Sequence, residues 1–195
     1  RKVNAAVVTF DPHPKHVLDR SPEKLPLIMN MDQKLEILHS LGLGKVLIIP
    51  FTLRFSRMEA KEFMDNVILP NFKPQFIVAG YNHHFGHKRK GGPEFLKEYC
   101  HEHGIGLEIT EPVKDGDAVI SSTHIRTLIQ NGYLRRANFG LGSFFGFMAK
   151  VVRGSGRGKG LDFPTANLNP LGENQLMPKP GVYFTRGRID GLHLY

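Results

Sequence analysis

Three clusters of polar, aromatic and charged side chains follow short apolar runs in this 195-residue sequence. The first is Asp11-Pro12-His13-Pro14, where two prolines stiffen a turn that carries a carboxylate and an imidazole. These groups suit contact with a polar ligand. They suit equally a rigid turn in which Asp11 caps backbone amides, so both interpretations stay open at this point.

The second cluster is bracketed by glycines and spans residues 80–91, Gly-Tyr-Asn-His-His-Phe-Gly-His-Lys-Arg-Lys-Gly. Tyr81 or Phe85 can stack on a flat ring, Asn82 can hydrogen-bond it, and the cations at 88–90 can screen a phosphate. This composition favours a pocket for a flat phosphorylated ligand. The alternative is a basic loop that simply faces water.

The third cluster places hydroxyls at the start of a predicted helix, at Ser121, Ser122 and Thr123, with Arg126 one turn further on. A helix N-terminus offers free N–H groups and partial positive charge, and arginine adds a bidentate donor. The pattern predicts a phosphate site. The alternative, in which Ser122 is only the helix N-cap, does not account for three hydroxyls in a row.

A glycine-rich basic segment occurs later, at residues 154–160, and leads into Leu-Asp-Phe-Pro-Thr-Ala-Asn at residues 161–167. Glycines let backbone amides approach phosphate oxygens, while Arg157 and Lys159 supply charge. The segment is not a P-loop, because Gly160 stands where a P-loop has Ser or Thr.

Composition narrows the classes of protein and partner. The sequence has 26 Lys plus Arg against 18 Asp plus Glu, a net charge of +8, which attracts polyanions such as nucleotides. Cys100 is its one cysteine, which excludes a disulfide framework and indicates a reducing, cytoplasmic setting. No apolar run approaches the roughly 20 residues that span a bilayer, so we expect no membrane partner.

The elements that must position these clusters follow from apolar periodicity. Short apolar runs alternate with segments of helical spacing, and this alternation predicts a parallel sheet. The second helix is expected to open with a capping box between Ser56 and Glu59. The apolar runs lie at residues 5–10, 46–51, 76–79 and 107–109, and the helices are expected at residues 31–41, 56–67, 93–103 and 121–131.

The texture of the sequence changes after Gly140. Helical periodicity ends, glycine becomes dense, and residues 145–152 and 181–189 are typical of strands in an antiparallel unit. We therefore place a domain boundary near Ser143, giving domains 1–142 and 143–195. Both ends of the sequence fall in strand-like segments, so we expect both domains to be incomplete.

Five motifs together, in this order, resemble the bacterial bifunctional riboflavin kinase/FMN adenylyltransferase family, also called FAD synthetase. They are Thr-Phe-Asp-Pro-His-Pro at 9–14, residues 80–86, residues 120–126, Phe-Pro-Thr-Ala-Asn at 163–167 and Pro-Gly-Val-Tyr at 180–183. The resemblance implies an α/β plus β fold class. It comprises a Rossmann-like nucleotidylyltransferase domain with a parallel sheet, followed by a truncated riboflavin kinase β-barrel.

The resemblance also implies the chemistry. Riboflavin is phosphorylated by ATP to FMN, and FMN is then adenylylated by a second ATP to FAD with release of pyrophosphate. Both steps are Mg2+-assisted, and such reactions rest on positioning and charge neutralisation. The partners are small nucleotides and flavins, with no nucleic acid and no membrane.

Site residues follow from the family motifs by their positions in this sequence. Residues implied to contact FMN are Asp11, His13, Asn82 and Phe85. Residues implied to bind ATP for adenylylation are Ser121, Ser122, Thr123 and Arg126. Residues implied to bind ATP in the kinase are Gly156, Arg157, Gly158, Lys159, Thr165 and Asn167. The implied metal ligands are Thr165 and Asn167, and these two with Arg126 are the implied catalytic residues.

The sequence departs from the family pattern in three places. The family's opening Gly-Phe-Asp-Gly-Val-His-x-Gly-His turn has no match, so we expect an impaired adenylyl step. The sequence ends before the family's Arg-Pro-Thr-Phe strand and catalytic glutamate, and Asp162 stands where the family usually has glycine. Two alternatives are another nucleotidylyltransferase, of the pantetheine or nicotinate-nucleotide type, and a basic nucleic-acid-binding module, although no nucleic-acid motif is present.

Overall fold

The structure, a computed structural model, describes residues 4–21, 23–154, 162, 165–172, 174–189 and 192–194. The chain divides into two compact units, Arg1–Ile120 and Ser121–Tyr195. The division between these units precedes the hydroxyl cluster, whereas the sequence places the domain boundary at 142/143. The domain assignment stays a prediction, and the two units are described one at a time.

Parallel strand pairing is present in the first unit, as predicted, but the described parallel strands form two separate two-stranded sheets and not one continuous sheet. Val- and Ile-rich runs favour extended backbone because β-branched side chains pack well on a pleated surface. β1 and β2 pair from Ala6 opposite Lys45 to Asp11 opposite Pro50, and β3 pairs with β4 in the same parallel sense. The strands are β1 (Ala6–Asp11), β2 (Lys45–Pro50), β3 (Phe76–Gly80) and β4 (Gly106–Thr110).

The helices of the first unit lie between these strands. α2 begins with a capping box, in which Asn30 and Gln33 accept each other's backbone N–H groups. α3 continues through a π-helical turn into α4, where Leu69 N–H donates to the Met64 carbonyl five residues back. The helices are α1 (Pro14–Leu18), α2 (Met31–Ser40), α3 (Ala60–Phe63), α4 (Leu69–Phe72) and α5 (Pro93–Glu102), and the π turn is Met64–Ile68.

The predicted capping box at Ser56 is wrong. Ser56 lies in a 3-10 turn, where its hydroxyl donates to the Leu53 carbonyl at 2.8 Å, and α3 begins only at Ala60. Thr52 Oγ1 accepts from the Phe55 N–H at 3.0 Å in the same segment. These local bonds from serine and threonine hold a turn where the sequence predicted a helix.

An aromatic core joins the strands to the helices of the first unit. Phe10 lies 5.8 Å from Phe55, which lies 6.0 Å from Phe63, between ring centroids. Phe63 in turn lies 5.3 Å from Phe85, which is in the segment between β3 and α5. The residues around these rings exclude water, and the buried members of the cluster are Ile49, Phe63, Met64, Ala79, Leu96 and Tyr99.

A short hairpin, not predicted from the sequence, follows β4. Its strands are β5 (Lys114–Asp115) and β6 (Ala118–Val119), and Lys114 lies opposite Val119. The turn between them is Gly116-Asp117, and Gly116 has φ +60°, the positive φ that glycine provides at the first position of such a two-residue turn.

The second unit combines a helical pair with antiparallel strands. The antiparallel pairing is confirmed, but the strand predicted at 181–189 covers only its last three residues and that predicted at 145–152 only its last four. The described strands form two separate pairs, β7 with β8 and β9 with β10. The elements are α6 (Ser122–Gln130), α7 (Leu134–Leu141), β7 (Ala149–Val152), β8 (Asn167–Pro170), β9 (Gly187–Ile189) and β10 (Leu192–Leu194).

The segment that follows β8 is bonded to α6. Lys179 N–H donates to the Ile129 carbonyl at 3.3 Å, and the Tyr183 hydroxyl donates to the Lys179 carbonyl. Leu176 is buried in the same unit. These bonds hold a stretch without regular secondary structure in a defined place beside the end of α6.

Candidate functional site

The turn after β1 presents one exposed carboxylate and one engaged imidazole. Asp11 ends β1, its carbonyl accepts from Phe51 N–H at 3.2 Å, and its side chain is exposed. His13 is the N-cap of α1, and its Nδ1 accepts from Lys15 N–H at 3.1 Å. The capping role that one interpretation gave to Asp11 therefore belongs to His13, and the carboxylate of Asp11 faces water.

Residues 81–92, which we call the β3 loop, connect β3 to α5. His83 N–H donates to the Gly80 carbonyl at 2.9 Å, and His84 Nδ1 lies 3.0 Å from the Asn82 carbonyl. These bonds make a compact turn with the Asn82 side chain exposed. An amide in that position is free of the core and suits hydrogen bonds to a polar ring edge.

Phe85 lies at the base of the same loop. Its backbone N–H and carbonyl both bond to Gly91, at 3.0 and 2.9 Å, and its ring packs 5.8 Å from Phe95 as well as against Phe63. The ring is half-buried. The predicted flavin-contact residues Asn82 and Phe85 thus occupy different levels of the loop, one at its exposed tip and one at its packed base.

His83 is a flat ring at this position that the sequence analysis did not select. Its ring centroid lies 5.8 Å from that of Phe85, and desolvation there, with His84 nearby, lowers the pKa of His83 below its ordinary value of 6.5. The imidazole is therefore neutral at neutral pH. The signal available in the sequence was the two-residue spacing from Phe85, which places both rings on one side of an extended segment.

The first turn of α6 gathers the third cluster. Ser121 is the N-cap and accepts from His124 N–H at 3.2 Å, so Ser122 lies inside the helix and is not the cap. The Ser122 and Thr123 side chains are exposed. Because the sequence places three hydroxyls here and one of them caps, two remain beside the open N–H groups of the helix.

Arg126 stands one turn into α6 and is half-buried. Desolvation lowers the pKa of its guanidinium, which nevertheless stays cationic at neutral pH. The Nε2 atom of His124 is buried and has no hydrogen-bond partner within the described residues. The four predicted residues of this cluster are therefore brought together on one helical turn that suits an anion.

The second unit carries the remaining candidates on β8 and just before it. Asn167 lies opposite Val152, and a Cβ atom on Gly154 would overlap the Asn167 side-chain amide. Asn167 therefore rests on the first residue of the glycine-rich segment, and exposed Thr165 precedes it by two positions. The other predicted kinase residues, Gly156, Arg157, Gly158 and Lys159, lie outside the described residues.

The backbone at Asp162 has a conformation that favours glycine. Its φ is +57°, in the left-handed region. Aspartate is one of the few residues besides glycine that adopts this conformation readily. The departure from the family pattern therefore keeps the backbone conformation for which glycine is usually selected.

The donor set of Thr165 and Asn167 fits a hard cation. Mg2+ prefers oxygen ligands and takes few of them from protein when phosphates supply the rest. A hydroxyl and an amide carbonyl meet that requirement. In the described part of the chain, no group of three or more His, Cys, Asp or Glu residues is placed to hold a metal by itself.

Family comparisons agree with the motifs. The model of the FAD synthetase family matches residues 1–124, and that of the riboflavin kinase family matches residues 141–195. The resemblance predicted from the sequence is confirmed by these two matches.

Similar proteins are named for two enzyme activities. The chain is 33% identical to the bifunctional riboflavin kinase/FMN adenylyltransferase of Bacillus subtilis over 95% of its length, and 32% identical to that of Listeria monocytogenes over 97%. It spans 58% and 59% of the lengths of these relatives.

One solved structure, described as a macrolide-efflux protein from Streptococcus pneumoniae, superposes with a TM-score of 0.86. Its sequence identity is 31%, and the match covers 96% of this chain and 60% of that one. In the part of this chain that the structure describes, no helix has the length and apolar character needed to cross a membrane.

Proposed function

Because the chain belongs to the FAD synthetase family, we propose that it acts in FAD biosynthesis, binding FMN and ATP for adenylylation and riboflavin and ATP for phosphorylation. The observation that carries the proposal is the first turn of α6. There Ser122, Thr123 and Arg126 lie beside open N–H groups, an arrangement that suits the phosphates of ATP. The proposed setting is the cytoplasm.

In the adenylyl step, an FMN phosphate oxygen attacks the α-phosphorus of ATP. The new P–O bond forms as the bond to the pyrophosphate leaving group breaks, and FAD and pyrophosphate result. Arg126 is proposed to neutralise charge that develops on the phosphates, and Ser121 to Thr123 to orient them. Asn82, His13 and Asp11 hydrogen-bond the flavin nucleotide, and Phe85 supports it with a ring.

In the kinase step, the riboflavin 5'-hydroxyl attacks the γ-phosphorus of ATP. Thr165 and Asn167 are proposed to hold Mg2+, which supplies charge neutralisation for the phosphates when bound. Residues 156–159 are proposed to cover the same nucleotide. We assign residues 1–142 to the nucleotidyltransferase domain and 143–195 to the first part of a riboflavin kinase β-barrel.

Calorimetric titration with Mg·ATP tests the two nucleotide sites separately. We expect two sites in the native chain. Arg126→Ala should remove the site on α6 and leave the other, while Thr165→Ala should do the reverse. Arg135→Ala, an exposed arginine on α7, is the matched control and should change neither. A single site, or equal weakening of both by Arg126→Ala, contradicts the two-site assignment.

A flavin titration separates the enzyme from a nucleic-acid-binding module. FMN fluorescence should be quenched on addition of the chain, and Asn82→Ala should weaken this quenching. Duplex DNA at moderate salt should leave the quenching unchanged. Displacement of the flavin by DNA, or DNA binding without flavin binding, would favour the basic nucleic-acid-binding alternative.

A further inference from the structure

The β3 loop lies directly on the start of α3. Ala60, the first residue of α3, is 3% exposed. A Cβ atom on Gly86 would lie 2.7 Å from both the backbone N and the Cα of Ala60. A Cβ on Gly91 would lie 2.9 Å from the Ala60 Cβ. Gly86 and Gly91 therefore both pack on the same alanine, with no space for a side chain between either glycine and Ala60.

Polar contacts fix the loop on the residues that precede Ala60. His87 N–H donates to the Met58 carbonyl at 2.7 Å, and the Lys90 ammonium lies 3.5 Å from a Glu59 carboxylate oxygen. The ion pair is exposed and contributes little, whereas the backbone bond sets a fixed distance. Steric contact and a backbone hydrogen bond thus hold the loop at a fixed distance from the start of α3.

The positions of Gly86 and Gly91 determine the position of Phe85, a candidate flavin contact. Gly91 bonds to Phe85 through two backbone hydrogen bonds, so a displacement of Gly91 displaces Phe85. Gly86 has φ +71° and follows Phe85 directly, and no other residue type relaxes there without strain. A larger side chain at position 60 would therefore displace Gly86 and Gly91, and Phe85 with them.

We infer that Ala60 is a positioning residue for flavin binding: its small side chain sets the distance of the β3 loop from α3 and thereby the place of Phe85. The inference rests on the proposed function, in which this loop contacts FMN. Ala60 itself is covered by the loop and acts only through it.

The test compares FMN affinity, by fluorescence quenching, among variants at position 60. Ala60→Val should weaken FMN binding about tenfold or more, because displaced binding groups lose most of their contribution. Ala60→Gly should bind FMN within about threefold of the native chain, since it removes bulk without moving the loop. The affinity for Mg·ATP should stay unchanged in both, which a general loss of structure would not allow.

Ala137→Val is the matched control, because Ala137 on α7 is 0% exposed and lies in the second unit, away from the β3 loop in the chain. It should leave FMN affinity unchanged. If Ala60→Val binds FMN as the native chain does, the positioning role is overturned. If Ala60→Val does not fold, Ala60→Ser replaces it, and native FMN affinity in the folded serine variant overturns the inference in the same way.

Hydrogen exchange separates this inference from the proposed function. If the native chain does not bind FMN, the flavin assignment of the β3 loop fails, whether or not Ala60 holds the loop in place. The packing can still be read from the His87 and Gly91 amides, which bond to Met58 and Phe85. Faster exchange of these amides in Ala60→Val then shows that the flavin assignment alone was at fault. Unchanged exchange shows that Ala60 does not hold the loop.

Discussion

Phenylalanines in the two units have opposite environments. Phe63 in the first unit is 8% exposed and contacts other rings on two sides, whereas Phe184 in the second is 93% exposed. The first unit buries a continuous cluster that joins strands to helices. The described part of the second unit buries few large apolar side chains, and apart from Leu176 they lie on α6.

This contrast shows that a run of strand-forming residues becomes a strand only where it packs and pairs with neighbours. The runs of the first unit lie in parallel pairs packed against the aromatic cluster, and they form strands where predicted. The run at 181–189 has equally good strand composition, yet Val182 and Phe184 are exposed and only Gly187–Ile189 is a strand. Strand propensity is expressed through packing and pairing with neighbours, so composition alone does not fix it.

The largest effect is expected when a buried side chain is removed from the core of the second unit. Leu176 is 1% exposed, and Leu176→Ala should cost about 2–5 kcal/mol of the free energy of unfolding. Because this unit has few other buried side chains, its helices should lose protection while β1 to β4 keep theirs. Hydrogen exchange read by element, with urea denaturation, measures both effects.

Leu168→Ala is the control for that change, since Leu168 is 56% exposed on β8 in the same unit. It should alter the free energy of unfolding by no more than about 0.5 kcal/mol. If Leu176→Ala destabilises both units equally, the two units unfold as one body and the comparison between their cores loses its basis.

The sequence predicts the first unit well because its signals are local. Helical spacing and apolar runs identify β1 to β4, α2 and α5 directly. α7 was missed because its residues Leu134–Leu141 include a glycine and two arginines and have no side-chain cap. The false capping box at Ser56 has a related cause, since hydroxyls that can cap a helix can equally close a turn.

The sequence predicts which residues form the candidate site but not how deeply each of them is buried. The sequence identifies Asn82 and Phe85 together, yet one is exposed and the other packs against Phe63. It does not indicate Ala60, because an alanine has no chemistry of its own and matters only through the two glycines above it. Contacts between residues distant in sequence are not encoded in local spacing, so this part of the site required the structure.

A smaller test concerns the polar edge of the first unit's core. The Tyr99 hydroxyl donates to Asp65 at 2.5 Å, and Lys61 bonds the other carboxylate oxygen at 2.7 Å. Tyr99→Phe should lower the melting temperature by about 2–4 °C. Tyr133→Phe, which alters an exposed tyrosine, is the matched control and should have no effect.

Acid should erase the difference between Tyr99→Phe and the native chain. Lys61 and then Tyr99 hold the pKa of Asp65 below its ordinary value of 3.8. The carboxylate therefore stabilises the folded protein above pH 3.8, and this contribution is lost as the pH falls through the lowered pKa. The melting temperatures of Tyr99→Phe and of the native chain, measured from pH 7 downward, should approach each other once the pH falls below 3.8. A difference that persists in acid would mean that Tyr99 acts through packing and not through Asp65.

The smallest effect tests whether the packing of the first unit extends to the exposed β3 loop. Desolvation beside Phe85, and then the charge of His84, lower the pKa of His83, so the unfolded chain binds this proton more readily than the folded one. Stability of the loop should therefore rise with pH until about pH 6.5 and then level off. NMR titration of the His83 ring measures the pKa directly. In Phe85→Ala it should return toward 6.5, because the ring that excludes water is gone; an unchanged pKa would place the cause of the shift elsewhere in the loop.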